Sequence, residues 1–307
     1  MENRGRFFKQ CPGTPRHICC GYMVLHHAAG CPMDCTYCVL QMYLNMPFLV
    51  QYVNIEDMLA ELRGVFEENR GRILRLGTGE FTDSLALERI TGFTEILLPL
   101  LGEYPDVFLE VKTKTADVDA VLGLEPRGRI ILAWSLNPDE IISGEEQGAA
   151  SLGERLAAAH RAQEAGYPVA FHFDPMILFP GWEEAYRRTV RMLAEAVDLR
   201  KVFWISMGAL RFPPALKPVI EARFPESRIL YHGEFITGGD GKLRYFKPTR
   251  IELFRLVLQE IRAASPEAFV YLCMERTDVW DAVFGEHPRG GDSLKSRLDG
   301  RCVSVAD

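Results

Sequence analysis

Cys31-Pro32-Met33-Asp34-Cys35-Thr36-Tyr37-Cys38 follows a short apolar run, Tyr22-Met23-Val24-Leu25, and has the pattern of neither a helix nor a strand. Gly30 and Pro32 flank the first cysteine, and such a loop suits wrapping a compact object better than prolonging regular structure. Three thiolates spaced C-x3-C-x2-C can hold three irons of a cubane [4Fe-4S] cluster and leave the fourth iron open. Four cysteines would close the cluster for electron transfer. The competing reading is a zinc knuckle with His26 or His27 as a further ligand, although zinc sites usually space their cysteines C-x2-C.

Outward from this loop the chain alternates. Tyr22 to Leu25 reads as the first strand, and Arg72 to Leu76, Val107 to Thr113, Arg129 to Leu136, Val169 to Asp174 and Val202 to Met207 as five more. Helical spacing appears over Ile55 to Phe66, with Asn54 as its cap, and over Leu85 to Leu101, Ala116 to Leu122, Leu152 to Ala165 and Glu183 to Ala196. Strands alternating with helices indicate βαβ units and a parallel sheet. Six units make an α/β fold of the partial (β/α)6 TIM-type barrel kind; a full eight-stranded barrel is the runner-up. A Rossmann sheet is disfavoured because no G-x-G-x-x-G follows the first strand.

Polar residues cluster where the strands should end: Gly77-Thr78-Gly79-Glu80, Lys112-Thr113-Lys114, Ser135-Leu136-Asn137, His172-Phe173-Asp174 and Ser206-Met207-Gly208. In a barrel these ends converge on one mouth, and the cysteine loop opens onto it. Four regions follow. Residues 1–21 form a basic arm, 22–230 the barrel, 231–287 a C-terminal hairpin and helix extension packed on it, and 288–307 a loose tail. The extension contains an Asp240-Gly241 turn, a helix from Arg250 to Arg262 and a further strand at Ala268 to Met274.

Composition sets bounds. The 307 residues are 48% hydrophobic and 25% charged, ordinary for a globular protein large enough for a substantial core. No apolar run approaches a membrane span and no secretory segment is visible, so a cytoplasmic, non-membrane protein is expected. A formal charge of −7 argues against nonspecific nucleic-acid binding over the whole surface. A local basic stretch remains in Lys242, Arg244, Lys247, Arg250, Arg255 and Arg262, with Tyr245 and Phe246 available to stack on a displaced base. Cys11, Cys19, Cys20, Cys273 and Cys302 fall outside the loop, show no metal spacing and are expected as thiols.

C-x3-C-x2-C with an aromatic before the third cysteine, here Tyr37-Cys38, resembles the signature of radical S-adenosylmethionine (SAM) enzymes. The resemblance implies that SAM chelates the open iron, that one electron from a flavodoxin or ferredoxin cleaves it, and that a 5'-deoxyadenosyl radical results. It further implies that Gly79 and Glu80 meet the SAM amino group. Lys114, with Lys112 as its competitor, would meet the carboxylate, and Ser135 and Asn137 the ribose or carboxylate.

Cys31 to Gln41, Thr113-Lys114, Ser135-Leu136-Asn137, Tyr245 and Tyr271 to Glu275 with Val279-Trp280 are similar to the spore photoproduct lyase branch. In that branch the radical takes hydrogen from a thymine dimer in DNA and a protein donor quenches the product radical. Two departures stand out. Glu80 occupies the place of the donor cysteine, and Val39 that of a relay tyrosine, whereas Tyr37 matches the motif. The expectation is a radical SAM, lyase-like enzyme acting on an unidentified substrate, with a nucleic acid among the candidates. DNA photoproduct repair with a different donor, such as Cys273, is the alternative, and a noncatalytic iron–sulfur or DNA-binding protein the third reading.

Overall fold

The computed structural model describes residues 1–306 apart from 12, 15, 45 and 290–292. Its frame is an eight-stranded sheet whose spatial order repeats the chain order: β1 (Phe8–Gln10), β2 (Met23–Leu25), β3 (Leu74–Gly77), β4 (Val107–Thr113), β5 (Ile130–Ser135), β6 (Val169–Met176), β7 (Val202–Ala209) and β8 (Val270–Leu272). Strands β2 to β8 pair in parallel, while β1 lies antiparallel on β2. Consecutive parallel neighbours are what helical crossovers produce. The end strands do not pair with each other, so the curled sheet is a partial barrel.

Every residue of β5 and β7 is buried, which explains their unbroken apolar sequences. The outer face is covered by Ile55–Glu68, Phe93–Glu103, Leu152–Glu164, Trp182–Ala196 and Lys247–Ala264. Ser151 starts the third of these with a reciprocal capping box to Glu154.

Four local expectations differ from the structure. Asn54 does not cap its helix; its amide exchanges hydrogen bonds with the Asn3 backbone at 2.9 and 3.1 Å and so fastens the arm. The stretch Leu85 to Leu101 is two helices broken at Gly92, whose φ of +55° suits glycine. Ala116 to Leu122 forms turns, where the Thr115 hydroxyl oxygen accepts from the Asp117 N–H and its carbonyl accepts from the Trp134 indole. Residues from 288 onward read as a loose tail, whereas Leu294–Ala306 is a helix that buries Leu294, Leu298 and Cys302.

The basic arm is ordered against the barrel. It supplies β1, crosses the open edge of the sheet, and bridges Ile18 to Glu275 beyond β8 at 3.0 Å. Behind it, Phe235–Thr237 and Leu243–Tyr245 form the expected hairpin, extended by Arg211–Phe212 into a three-stranded sheet. Its charges turn inward. Arg244 is buried against Asp240 at 2.6 Å, Arg250 against Glu275 at 2.8 Å, and the Tyr245 ring is fully buried. Tyr245 is therefore a packing residue here, and Phe246 is the exposed aromatic beside it. Among the described residues no helix is long and apolar enough to cross a membrane.

Candidate active site

The cysteine loop leaves β2 and is clamped over the strand ends by backbone pairing. Asp34–Cys35 runs antiparallel to Glu146–Gln147, and the Thr36 N–H reaches the Glu145 carbonyl at 2.9 Å. Arg223 holds the loop from outside through both Asp34 oxygens at 2.9 Å. This places Cys31, Cys35 and Cys38 on a cavity of about 160 Å³. Tyr37, Gly79, Glu80, Lys112, Lys114 and Ser135 share its wall.

Gly79 is required by close approach: a Cβ there would stand 2.9 Å from the Lys112 carbonyl oxygen. Asp83 locks the adjoining loop to β4. One of its oxygens accepts from the Thr113 hydroxyl at 2.6 Å and the other from the Lys114 N–H at 2.7 Å.

Burial pushes the Cys31 and Cys35 thiols up to about 12 and raises Cys38 as well. The loop alone therefore favours three neutral thiols, and a cationic metal group is what would convert them to thiolates. Among the described residues no three His, Cys, Asp or Glu side chains converge tightly enough to chelate a single ion. Cys31, Cys35 and Cys38 share one cavity, and thiolates are the donors that hold an iron–sulfur group. His26 and His27 do not line it; their rings lie against Phe81 and Phe93 at 4.1 and 3.7 Å. The zinc-knuckle reading thus loses its extra ligand.

Lys112 and Lys114, which strand alternation puts on one face, have different surroundings. The Lys114 ammonium lies 3.0 Å from both the Tyr37 hydroxyl and the Glu146 carboxylate. Glu146 is buried and also accepts from Arg155 at 2.6 Å, from Asn137 at 3.0 Å and from the Tyr37 hydroxyl. Burial works against its charge, yet Lys114, Arg155 and these hydrogen bonds hold the carboxyl at about 2. Asn137 is fully buried, and its other end accepts from the Tyr186 hydroxyl at 3.2 Å. It stands behind Glu146, which in turn holds the wall residues Lys114 and Tyr37, whereas Ser135 is in the wall itself.

Lys112 pairs with Glu80 at 2.5 Å. Beneath it, Glu110 accepts from the Trp204 indole at 3.2 Å and meets the His172 ring at 2.6 Å, while the opposite ring nitrogen meets the Ser206 hydroxyl at 2.6 Å. Despite its burial, the neighbouring His172 ring and the Lys112 ammonium keep Glu110 at about 2. Asp174 forms a two-point pair with Arg211 at 2.9 and 3.0 Å, next to the Cys273 sulfur. His172 and Asp174 therefore belong to two separate networks. Glu110, Glu146, Arg155 and Arg211 carried no sequence signal beyond their charge. A lone acid such as Glu110 inside an apolar strand is the one clue that points inward.

Comparison with known proteins agrees with this geometry. The family model described as spore photoproduct lyase matches residues 19–269. Spore photoproduct lyase of Bacillus subtilis (strain 168) is 29% identical over 205 residues, covering 66% of this chain and 60% of the relative. That of Geobacillus sp. (strain Y412MC61) is 30% identical over 206 residues with the same coverage. The chain thus matches about 60% of the length of these curated relatives.

A cysteine-to-alanine mutant of spore photoproduct lyase with dinucleoside spore photoproduct superimposes with a TM-score of 0.79 at 27% identity, over 88% of this chain and 80% of that one. A double mutant with bound AdoMet and the same dinucleoside gives 0.76 at 27% identity, over 88% and 81%. Streptococcus suis SuiB, at 14% identity and a TM-score of 0.51 over 85% of this chain and 51% of that one, shares the fold alone. With most of its length matched by the family model, this chain belongs to the spore photoproduct lyase family.

Proposed function

We propose that this protein is a radical SAM lyase that converts a pyrimidine dimer photoproduct in DNA back to its pyrimidines. Its family membership and its likeness to structures bound to AdoMet and dinucleoside spore photoproduct favour repair over the unidentified substrate expected from the sequence. The observation that carries the reading is the cavity. Three cysteines of a C-x3-C-x2-C loop face Lys114, Ser135, Gly79 and Glu80 across the strand ends of a partial barrel.

Cys31, Cys35 and Cys38 would hold three irons of a [4Fe-4S] cluster, and with SAM this group supplies a 5'-deoxyadenosyl radical when bound. The remaining roles belong to the chain. Lys114 presents one ammonium toward the cavity, its position set by Glu146 and by Tyr37. Tyr37 keeps its proton, because burial and the neighbouring Glu146 charge raise the phenol well above its ordinary range, so it acts as a hydrogen-bonding wall residue. Glu80 would accept from the SAM ammonium with the oxygen that Lys112 leaves free. Ser135 offers a hydroxyl to the ribose. The priming electron would come from a flavodoxin or ferredoxin.

Anaerobic reconstitution, reduction with dithionite and addition of SAM should yield 5'-deoxyadenosine. With dinucleoside spore photoproduct present, two thymines should be restored. Cys35→Ala should remove both the iron–sulfur absorption and SAM cleavage. Cluster-loaded protein that cleaves no SAM would sink the proposal, and SAM cleavage without restored thymine would return the substrate to the unidentified class.

A further inference from the structure

Arg155 stands in the first turns of the surface helix Leu152–Glu164, yet its side chain is wholly shielded from solvent. A guanidinium in such a place is tolerated only where its N–H groups and its charge are matched. Each of its three nitrogens has a partner. Nε donates to the Ala150 carbonyl at 2.8 Å, Nη1 to the Ser135 carbonyl at 2.9 Å and Nη2 to the Glu146 carboxylate at 2.6 Å.

All three partners lead to the candidate site. Ser135 is itself in the cavity wall. Glu146 pairs through its backbone with Cys35, and its other oxygen accepts from Lys114 at 3.0 Å and from the Tyr37 hydroxyl. The Ala150 N–H donates to the Lys114 carbonyl at 3.0 Å. One side chain that does not line the cavity thus reaches the cysteine loop, Lys114 and Ser135, directly or through a single residue.

The charges at this end are uneven. Lys114 and Arg155 bring two positive charges to the one negative charge of Glu146. Without Arg155, Lys114 and Glu146 would cancel, and an incoming anion would meet a neutral pair. An ammonium has three N–H bonds, of which the Tyr37 hydroxyl and Glu146 take two. Lys112, by contrast, is matched one to one by Glu80 at 2.5 Å.

We propose that Arg155 is a positioning residue for the SAM carboxylate. By taking up the charge of Glu146 and holding the Ser135 and Ala150 carbonyls, it leaves the Lys114 ammonium fixed and uncancelled for an incoming carboxylate. A planar fork of donors can serve three acceptors at once, which a lysine ammonium at this position cannot do in the same geometry. The assignment rests on the SAM-binding part of the reading above and deepens it.

The test measures binding of radiolabelled SAM to the cluster-loaded full chain by equilibrium dialysis, beside circular dichroism and the iron–sulfur absorption. Arg155→Met should keep both spectra and weaken SAM binding about ten- to hundredfold, as for the loss of a charge-assisted contact. Arg155→Lys, which keeps the charge and loses the fork, should fall between Arg155→Met and wild type. Adding Glu146→Gln to Arg155→Met frees the Lys114 charge again while an amide oxygen still accepts from it, so affinity should return most of the way to wild type. An arginine needed only for packing predicts a double variant at least as weak as the single one, and that result overturns the assignment. Wild-type affinity in Arg155→Met overturns it as well. If Arg155→Met does not fold, the double variant is compared with Glu146→Gln alone. Similar affinities support the role, because Arg155 is dispensable once Glu146 is neutral, and binding about tenfold weaker in the double variant overturns it. Loaded wild type that binds no SAM overturns the radical SAM reading and this assignment with it. SAM binding decides the assignment whether or not the dinucleoside is repaired, so a failure of the repair reading is told apart from a failure here.

Discussion

The two ends of the cavity differ although one strand supplies both. Lys114 meets a carboxylate with a fully buried side chain that is itself held by Arg155, Asn137 and Tyr37. Lys112, two residues earlier on the same face, meets Glu80, whose side chain is 36% exposed. Charges in a dry, fully hydrogen-bonded network hold their geometry and cost most when one is removed, whereas a half-open pair is screened and adjustable. The Lys114 end is thus built as a fixed post, and the Lys112 end as the side that can give way to a ligand.

The largest expected effect tests the fixed post. Glu146→Ala leaves Lys114 and Arg155 buried without their shared counter-charge and should cost about 3–5 kcal/mol in urea denaturation, as for other broken buried pairs. A loss below 1 kcal/mol would show that the post is solvated. Gly77→Ala tests the packing beneath both ends, since the new Cβ would lie 1.4 Å from the Tyr22 hydroxyl oxygen. Overpacking there should cost about 1–3 kcal/mol, read as a lowered midpoint with an unchanged slope.

Acid titration probes the network under Lys112. The folded-state value of Glu110 is depressed to about 2 from an ordinary 4.5, so its stabilisation is complete above the ordinary value and drains away as pH falls toward 2. Glu110→Gln should flatten the stability curve over that window, and an unchanged acid limb would contradict the assignment. The smallest effect is expected at the adjustable end. Glu80→Gln should change stability by only about 0.2–1 kcal/mol, while raising the SAM concentration needed for half-saturation. If it cost as much as Glu146→Ala, the contrast between the two ends would collapse.

Much of the fold was legible because its signals are local. Val107–Thr113 was bounded to the residue, and Leu152–Glu164 to within one, by apolar runs and by a glycine after the helix. Of the nine site residues expected, eight line the cavity, because strand ends and the cysteine loop must meet at a barrel mouth. Asn137 is the exception: sequence places it at a strand end but cannot show that Glu146 and Tyr186 engage both ends of its amide. The order of the arm and of the tail lies outside local pattern for a related reason. Phe8–Gln10 and Leu294–Ala306 are weakly patterned segments whose order comes from distant partners, β2 for the first and Arg75 through Asp299 for the second.

What the sequence settled unaided was the spacing of Cys31, Cys35 and Cys38, the alternation of strand and helix, and the shared face of Lys112 and Lys114. Each follows from neighbours within a few residues, where backbone geometry dictates direction. Only the folded chain decided which lysine is buried against Glu146, that Arg244, Arg250 and Tyr245 turn inward, and that the N-terminal arm crosses the open edge of the sheet. Apart from the Arg244–Asp240 pair, these depend on contacts between segments tens of residues or more apart, and no local pattern encodes which buried charge will find which partner.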